Sequence, residues 1–308
     1  MQYLGELAAL GTAFCWSFGA LFFSEASKRL GSFRVNQIRL LFAVIIYVVV
    51  LLIINGRLFP VDLNMTQVFW LSLSGVIGFV IGDGAGFKGL VIVGPRLGTL
   101  LWASAPIMAT IIAWLVLGEK MGLVDLTGIV ITIGGISWVV AERRYKNNNS
   151  VAADHPDSGT MRKGIMLGLL AALGQAAGLV ISKHAMLHSG GQLEAMPASF
   201  IRLLAALVVI WSISAIRGGV GETIRLIKPS TGVLLIFGGA IMGPFLGVWL
   251  SLVAVSMIKA GIAATLNAMT PLLIIPVVMI VYGEKVSLRA MLGAMIAVGG
   301  VVLLFLSK

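Results

Sequence analysis

Asp83 is the residue best placed to do chemistry in an apolar setting, because it stands between Gly82 and Gly84 inside a long apolar run. A carboxylate there is costly to keep, so it marks a candidate for substrate or ion binding, or for a partner on another helix. Lys88, five residues on, has a poor spacing for a pair on one helix face. It is expected to snorkel to an interface. Arg39 and Arg202 sit near the starts of two other apolar runs, where interfacial anchoring or a structural hydrogen bond is expected. Lys183, His184 and Lys259 fall at segment ends. They either mark the interface or attract an anionic or zwitterionic solute. Uncharged candidates are Trp16, Ser17, Thr99, Trp102, Gln175 and Asn267. The two amides need hydrogen-bond partners in a dry environment. An aromatic wall with a few such groups suits a small polar or amphipathic organic molecule. Helix packing accounts for the same residues about as well.

Other chemistries lack their residues. There is no P-loop for nucleotide hydrolysis, no His/Cys/carboxylate cluster at metal-ligand spacing and no nucleophile motif. No catalytic residue, metal or cofactor is therefore expected, and no enzyme activity. A single cysteine, Cys15, rules out an intrachain disulfide and reads as a small buried thiol.

The elements that must position these residues follow from composition. Of 308 residues, 59% are hydrophobic and 11% charged, with mean hydropathy +1.04. A soluble domain carries roughly 25% charged residues. So much apolar surface requires lipid as the outer solvent, and the apolar runs approach the ~20 residues needed to span hydrocarbon. Strand-length alternation is missing, which argues against a barrel. Ten spans are predicted: Leu4–Phe23, Val35–Ile54, Val68–Val91, Leu97–Leu117, Leu123–Val140, Ile165–Ser182, Ala198–Ile216, Gly232–Ile258, Gly261–Tyr282 and Leu288–Leu306. The first lacks a positive n-region and an A-x-A-like end, so it is expected to be a retained helix rather than a signal peptide.

An internal repeat divides the chain. Ala8-Ala9-Leu10-Gly11 and Ile38-Arg39-Leu40-Leu41 recur at an offset of 163. Pro106, Gly118-Glu119-Lys120 and Gly134-Gly135 recur at 165. The expected organisation is a first five-helix repeat (1–141), a polar linker (142–163) and a second five-helix repeat (164–308). Because five is odd, the second half enters from the opposite side: an all-α integral membrane protein of two inverted repeats, with a site near the midplane. Small-residue stripes at Ser74, Gly78, Gly82 and Gly86, and at Gly239, Gly243, Gly247 and Ser251, suit close or sliding helix contacts. Pro106 and Pro271 are expected to kink their helices and free a carbonyl beside a central cavity.

The net charge of +10 is explained by membrane orientation better than by nucleic acid. By loop parity, Lys and Arg number fifteen on the side of the linker and five on the other. Positive residues stay inside, which places the linker in the cytoplasm and both termini outside.

The run Gly94-Pro95-Arg96-Leu97-Gly98-Thr99 through Ala105-Pro106, then Leu117-Gly118-Glu119-Lys120 and Gly128 to Gly135, resembles the EamA-type repeat of the drug/metabolite transporter superfamily. A second copy runs from Ala260 to Gly300, with Thr270-Pro271 and Tyr282-Gly283-Glu284-Lys285. The resemblance covers essentially the whole chain. It implies ten helices around a cavity lined by the first, third, fourth, sixth, eighth and ninth segments. It also implies alternating access and export of amino acids, other metabolites or drugs. Many members have cytoplasmic termini, opposite to the charge count.

The expected function is therefore secondary transport of a small organic solute across the cell membrane, as an exporter driven by protons or a counter-solute. The rival readings are a non-transporting membrane scaffold or partner subunit and, less well supported, a membrane enzyme on lipid-linked substrates. Cargo, coupling and oligomeric state are not legible.

Overall fold

Inside hydrocarbon a chain must satisfy its own backbone groups, and apolar runs of this length do so as helices. A computed structural model describes residues 3–60, 63–142, 158–189, 192–228, 230–273 and 288–306. They are helical with short connections, and no strand occurs among them. Helices α1 (Leu4–Leu30) and α2 (Ser32–Asn55) are followed by α3 (Met65–Gly75), a π-helical turn (Val76–Gly82) and α4 (Asp83–Trp102). Then come α5 (Ala105–Leu117) and α6 (Leu123–Glu142). The second half holds α7 (Ser158–His188), α8 (Ala195–Ile216) and the short α9 (Val220–Leu226). It continues with α10 (Thr231–Ala240), a second π-helical turn (Ile241–Gly247), α11 (Val248–Met257) and α12 (Ala260–Asn267). The last helix, α13, covers Leu288–Leu306.

Six helical stretches are long and apolar enough to cross a membrane, and four shorter apolar ones accompany them among the described residues. Helix α7 starts at Ser158, inside the stretch read as linker; residues 143–157 and the second Gly-Glu pair, Gly283-Glu284, lie outside the described residues.

The repeat is visible in the irregularities. The two π turns occupy the same positions at an offset of 165. So do the breaks at Ala103-Ser104 and Ala268-Met269, and the starts of the last helices, Leu123 and Leu288. Each break falls two residues ahead of its proline, so Pro106 stands in the first turn of α5 rather than mid-helix. A first-turn proline loses no helical bond. At the other break Thr270 Oγ1 donates to Asn267 O (3.0 Å), the carbonyl that Pro271 cannot serve.

Helical hydrogen bonding persists through Asp83–Trp102, yet the chain reverses there. The Trp102 ring packs on Gly86, and Leu101 returns to Gly168, beside Gly89.

Equivalent helices meet antiparallel across the two halves. Gly128 of α6 faces Gly300 of α13, Thr132 faces Ala297, and Gly135 faces Gly293. Likewise α7 runs antiparallel to α3–α4, with Gly178 against Ser74 and Gly174 against Gly82, while α1 runs antiparallel along α10–α11. The small-residue stripes thus do different work. The first lets backbones touch: a Cβ on Gly174 would lie 2.8 Å from Gly82 Cα. The second makes room for the Trp16 and Phe23 rings.

A neighbouring pair tests the α6–α13 seam. A Cβ on Gly135 collides with the Ala297 backbone, whereas one on Gly134 meets nothing within 4 Å. Gly135→Leu is expected to destabilise by about 2 kcal/mol or more. Gly134→Leu should leave thermal unfolding in detergent nearly unchanged, and equal melting temperatures for the two variants would refute this packing.

Candidate functional site

Arg39 stands seven residues into α2 and is 2% exposed. A guanidinium buried in such a place must be matched by an opposite charge. That of Arg39 forms an ion pair with Asp83, the first residue after the first π turn. The second Asp83 oxygen accepts from Gln175 Nε2 of α7 (2.6 Å). Arg39 Nε donates to Asn36 Oδ1 (2.8 Å), and Asn36 Nδ2 donates to Phe79 O within the π turn (3.3 Å). The rings of Phe23, Phe87 and Trp16 surround the guanidinium, with centroids 5.1, 5.6 and 5.9 Å from Cζ. Such contacts add to the charge's stabilisation where water is excluded. The π turn helps set the direction of Asp83, since one wider turn rotates everything that follows.

A second polar seam joins α1 to the break before Pro271. Ser17 Oγ donates to Ala13 O (2.7 Å) or to Thr270 O (3.0 Å), and Thr270 Oγ1 also reaches Ala13 O (3.3 Å). With its amide nitrogen turned toward the carbonyls, Asn267 donates to Ala9 O (3.0 Å).

Of the residues predicted from sequence, Trp16, Asp83 and Gln175 thus meet around Arg39, and Ser17 and Asn267 meet at the second seam. Trp102 packs on Gly86, which also lies against Ala171, one turn from Gln175. Thr99 lies within α4, and its side chain is outside the described residues. Arg39 and Asn36 were missed as members of the site. Their signal was an arginine and an amide three residues apart near the start of an otherwise apolar run.

Beyond this lies a charged cluster at the end of the molecule opposite the linker. Gly118, at φ +67°, ends α5 in the left-handed conformation and turns the chain so that Glu119 reaches the second half. Glu119 Oε1 pairs with Lys183 Nζ (2.6 Å), and Oε2 accepts the Ala260 N–H (2.8 Å) at the start of α12. Lys183 Nζ also donates to Ile258 O (2.6 Å). Beside it, Lys259 Nζ pairs with Asp125 Oδ2 (2.6 Å). From sequence, Lys183 and Lys259 either mark the interface or attract an anionic or zwitterionic solute; the structure gives each a carboxylate partner across the halves.

The profile of the EamA-like transporter family matches residues 3–141 and 162–306, nearly the whole chain in two copies. The chain belongs to the EamA-like transporter family. It is accordingly a multi-pass protein of the cell membrane and a transporter of the drug/metabolite superfamily, whose members bind small-molecule substrates. No curated protein matches the chain. A solved crystal structure superposes with TM-score 0.74 at 14% identity, over 98% of this chain and 96% of that one, and shares its fold.

The buried pair makes a testable demand on this EamA-family chain. Asp83→Asn leaves Arg39 charged and unmatched, which is expected to destabilise by about 3–5 kcal/mol. The double variant Arg39→Met/Asp83→Asn should recover most of that loss. Thermal unfolding of wild type, Asp83→Asn, Arg39→Met and the double variant measures the coupling, and additive effects would show that the pair contributes nothing.

Proposed function

We propose that the chain is a secondary transporter of a small organic solute, an exporter working by alternating access between two inverted five-helix halves. The halves are residues 1–141 and 164–308, joined by a linker at 142–163. The observation that carries this reading is that several buried polar groups bridge the two halves. Asp83 of the first half holds Gln175 of the second, Ser17 holds Thr270, and Asn267 reaches Ala9. Polar groups placed at a seam can exchange protein partners for solute when the halves rock.

The Glu119 cluster supports an outer gate. It ties α5 and α6 of one half to α7 and α12 of the other through four charged groups. The repeat counterparts at the opposite end are not built for it: Ala20 stands for Lys183, Gly94 for Lys259 and Ala290 for Asp125. Pro95, standing for Ala260, has no N–H to offer. The substrate site in this reading contains Trp16, Ser17, Asp83, Thr99, Trp102, Gln175 and Asn267, with Pro106 and Pro271 locating the helix breaks beside it. A proton gradient or a counter-solute drives it, since the sequence carries no nucleotide-hydrolysing motif.

Flux of amino acids, organic acids and drug-like cations into and out of proteoliposomes tests the function. Lys183→Glu is expected to slow transport of an active solute about tenfold by setting two like charges together. Glu119→Lys added to it should restore much of the rate. In parallel, cysteines introduced as Trp102→Cys and Asn267→Cys should react with a soluble thiol reagent and be protected by the solute. No flux for any solute, with no reaction of either cysteine from either side, would favour the scaffold reading instead.

A further inference from the structure

The two halves treat their equivalent arginines differently. Arg202 is the repeat counterpart of Arg39, seven residues into α8 and 5% exposed. Arg39 is held by Asp83 and Asn36, and Gln175 holds the other oxygen of Asp83; at the positions corresponding to Asp83, Asn36 and Gln175 the chain has Val248, Ser199 and Thr12. Val248 is buried in the apolar cluster that also holds Phe79, Phe200 and Leu203. Thr12 gives its hydroxyl proton to Ala8 O, and Ser199 to Ala195 O. Tyr47, near Arg202, donates to Phe245 O (2.8 Å). Arg202 Nε has no hydrogen-bond partner, and among the described residues no carboxylate pairs with this guanidinium. Its described compensation is the Phe79 ring, 5.1 Å from Cζ. A charge this deep without a counter-ion is strongly disfavoured, so something must supply the anion.

We propose that Arg202 is the anchor for the carboxylate of the transported solute, which takes in the second half the place that the Asp83 carboxylate holds in the first. This rests on the transporter reading above and narrows its substrate class to carboxylates, including amino acids. The guanidinium offers a planar fork that a carboxylate fills with two bonds. Val248 leaves the protein's own carboxylate out of that fork. The Phe79 face covers the guanidinium and keeps the site dry. In this proposal the solute enters from the end opposite the linker. A cavity of about 400 Å³ lies there, lined by Asn55, Arg57, Phe59, Gln67, Gln192 and Glu194 among others. Pro197 also lines it, and Arg202 lies about 7 Å deeper along α8. The Phe59–Phe200 ring contact (5.5 Å) neighbours that cavity.

Thermal unfolding of the full chain in detergent tests this, with short-chain mono- and dicarboxylates and the standard amino acids as probes, and inorganic phosphate and tetramethylammonium beside them. At least one carboxylate should raise the wild-type melting temperature in a saturable way. Val248→Asp should melt higher than wild type without ligand and lose the carboxylate response, because it builds in the missing counter-ion. Arg202→Gln should lose the response, and Arg202→Lys should weaken it about tenfold. If Arg202→Gln does not fold, Val248→Asp and Arg202→Lys still decide. No response from any carboxylate, a response to phosphate alone, or a Val248→Asp variant that responds like wild type would each overturn the inference. Liposome flux separates it from the broader reading. A neutral or cationic solute that moves equally well through Val248→Asp overturns the carboxylate anchor and keeps the transporter. Carboxylate binding to Arg202 with no flux of any solute overturns the transporter reading and keeps the anchor.

Discussion

A charge inside an apolar bundle has to be matched, and the Arg39–Asp83 pair shows how much structure that demands. One oxygen of Asp83 meets the guanidinium and the other meets Gln175, so three segments from both halves converge on a single carboxylate. Asn36 fixes the free edge of the arginine while itself reaching into the π turn. Three aromatic rings close the remaining sides. The geometry of the first half follows from that requirement. Helix α2 must bring Arg39 inward, the π turn must deliver Asp83, and α7 must lie close enough for an amide to touch it.

Closeness on that scale is set by backbone rather than side-chain packing. Gly174 of α7 lies against Gly82 with no room for a Cβ, and Gly178 packs tightly on Ser74 and Gly78. Lipid supplies little drive for helices to associate, so contact at the backbone and polar bonds across the seam must hold the halves together. The same economy is seen at α6 and α13, where Gly128, Gly135, Gly293 and Gly300 let two helices cross face to face. The second half uses its stripe otherwise: Gly243 and Gly247 accept the Trp16 ring that faces Arg39.

Much of this was legible in the residues. The helical class followed from hydropathy, and the repeat from Ile38-Arg39-Leu40-Leu41 and the Gly-Glu pairs. Asp83 and Gln175 were singled out because neither is cheap to bury. The π turns were not legible, since Val76–Gly82 carries no proline and its two glycines fit the small-residue packing stripe equally well, and Pro244 in the counterpart does not by itself distinguish a wider turn from a kink. Nor was the exact place of the breaks, which fall ahead of Pro106 and Pro271 because a proline is tolerated at a helix start but not beyond it. Partnerships across the halves, such as Glu119 with Lys183, depend on which loops share an end of the bundle. That is a property of the assembled topology and not of local sequence.

The Glu119 cluster has a thermodynamic consequence. A bundle of two equivalent halves that rocked about its centre would have two end states of equal energy, related by the repeat itself. Ion pairs at one end, opposite Ala20, Gly94, Pro95 and Ala290 at the other, remove that degeneracy. In the proposed alternating-access cycle the conformer closed at the Glu119 end would be the resting population, and a solute would have to bind the opposite conformer more tightly by at least that energy gap to reverse the bias.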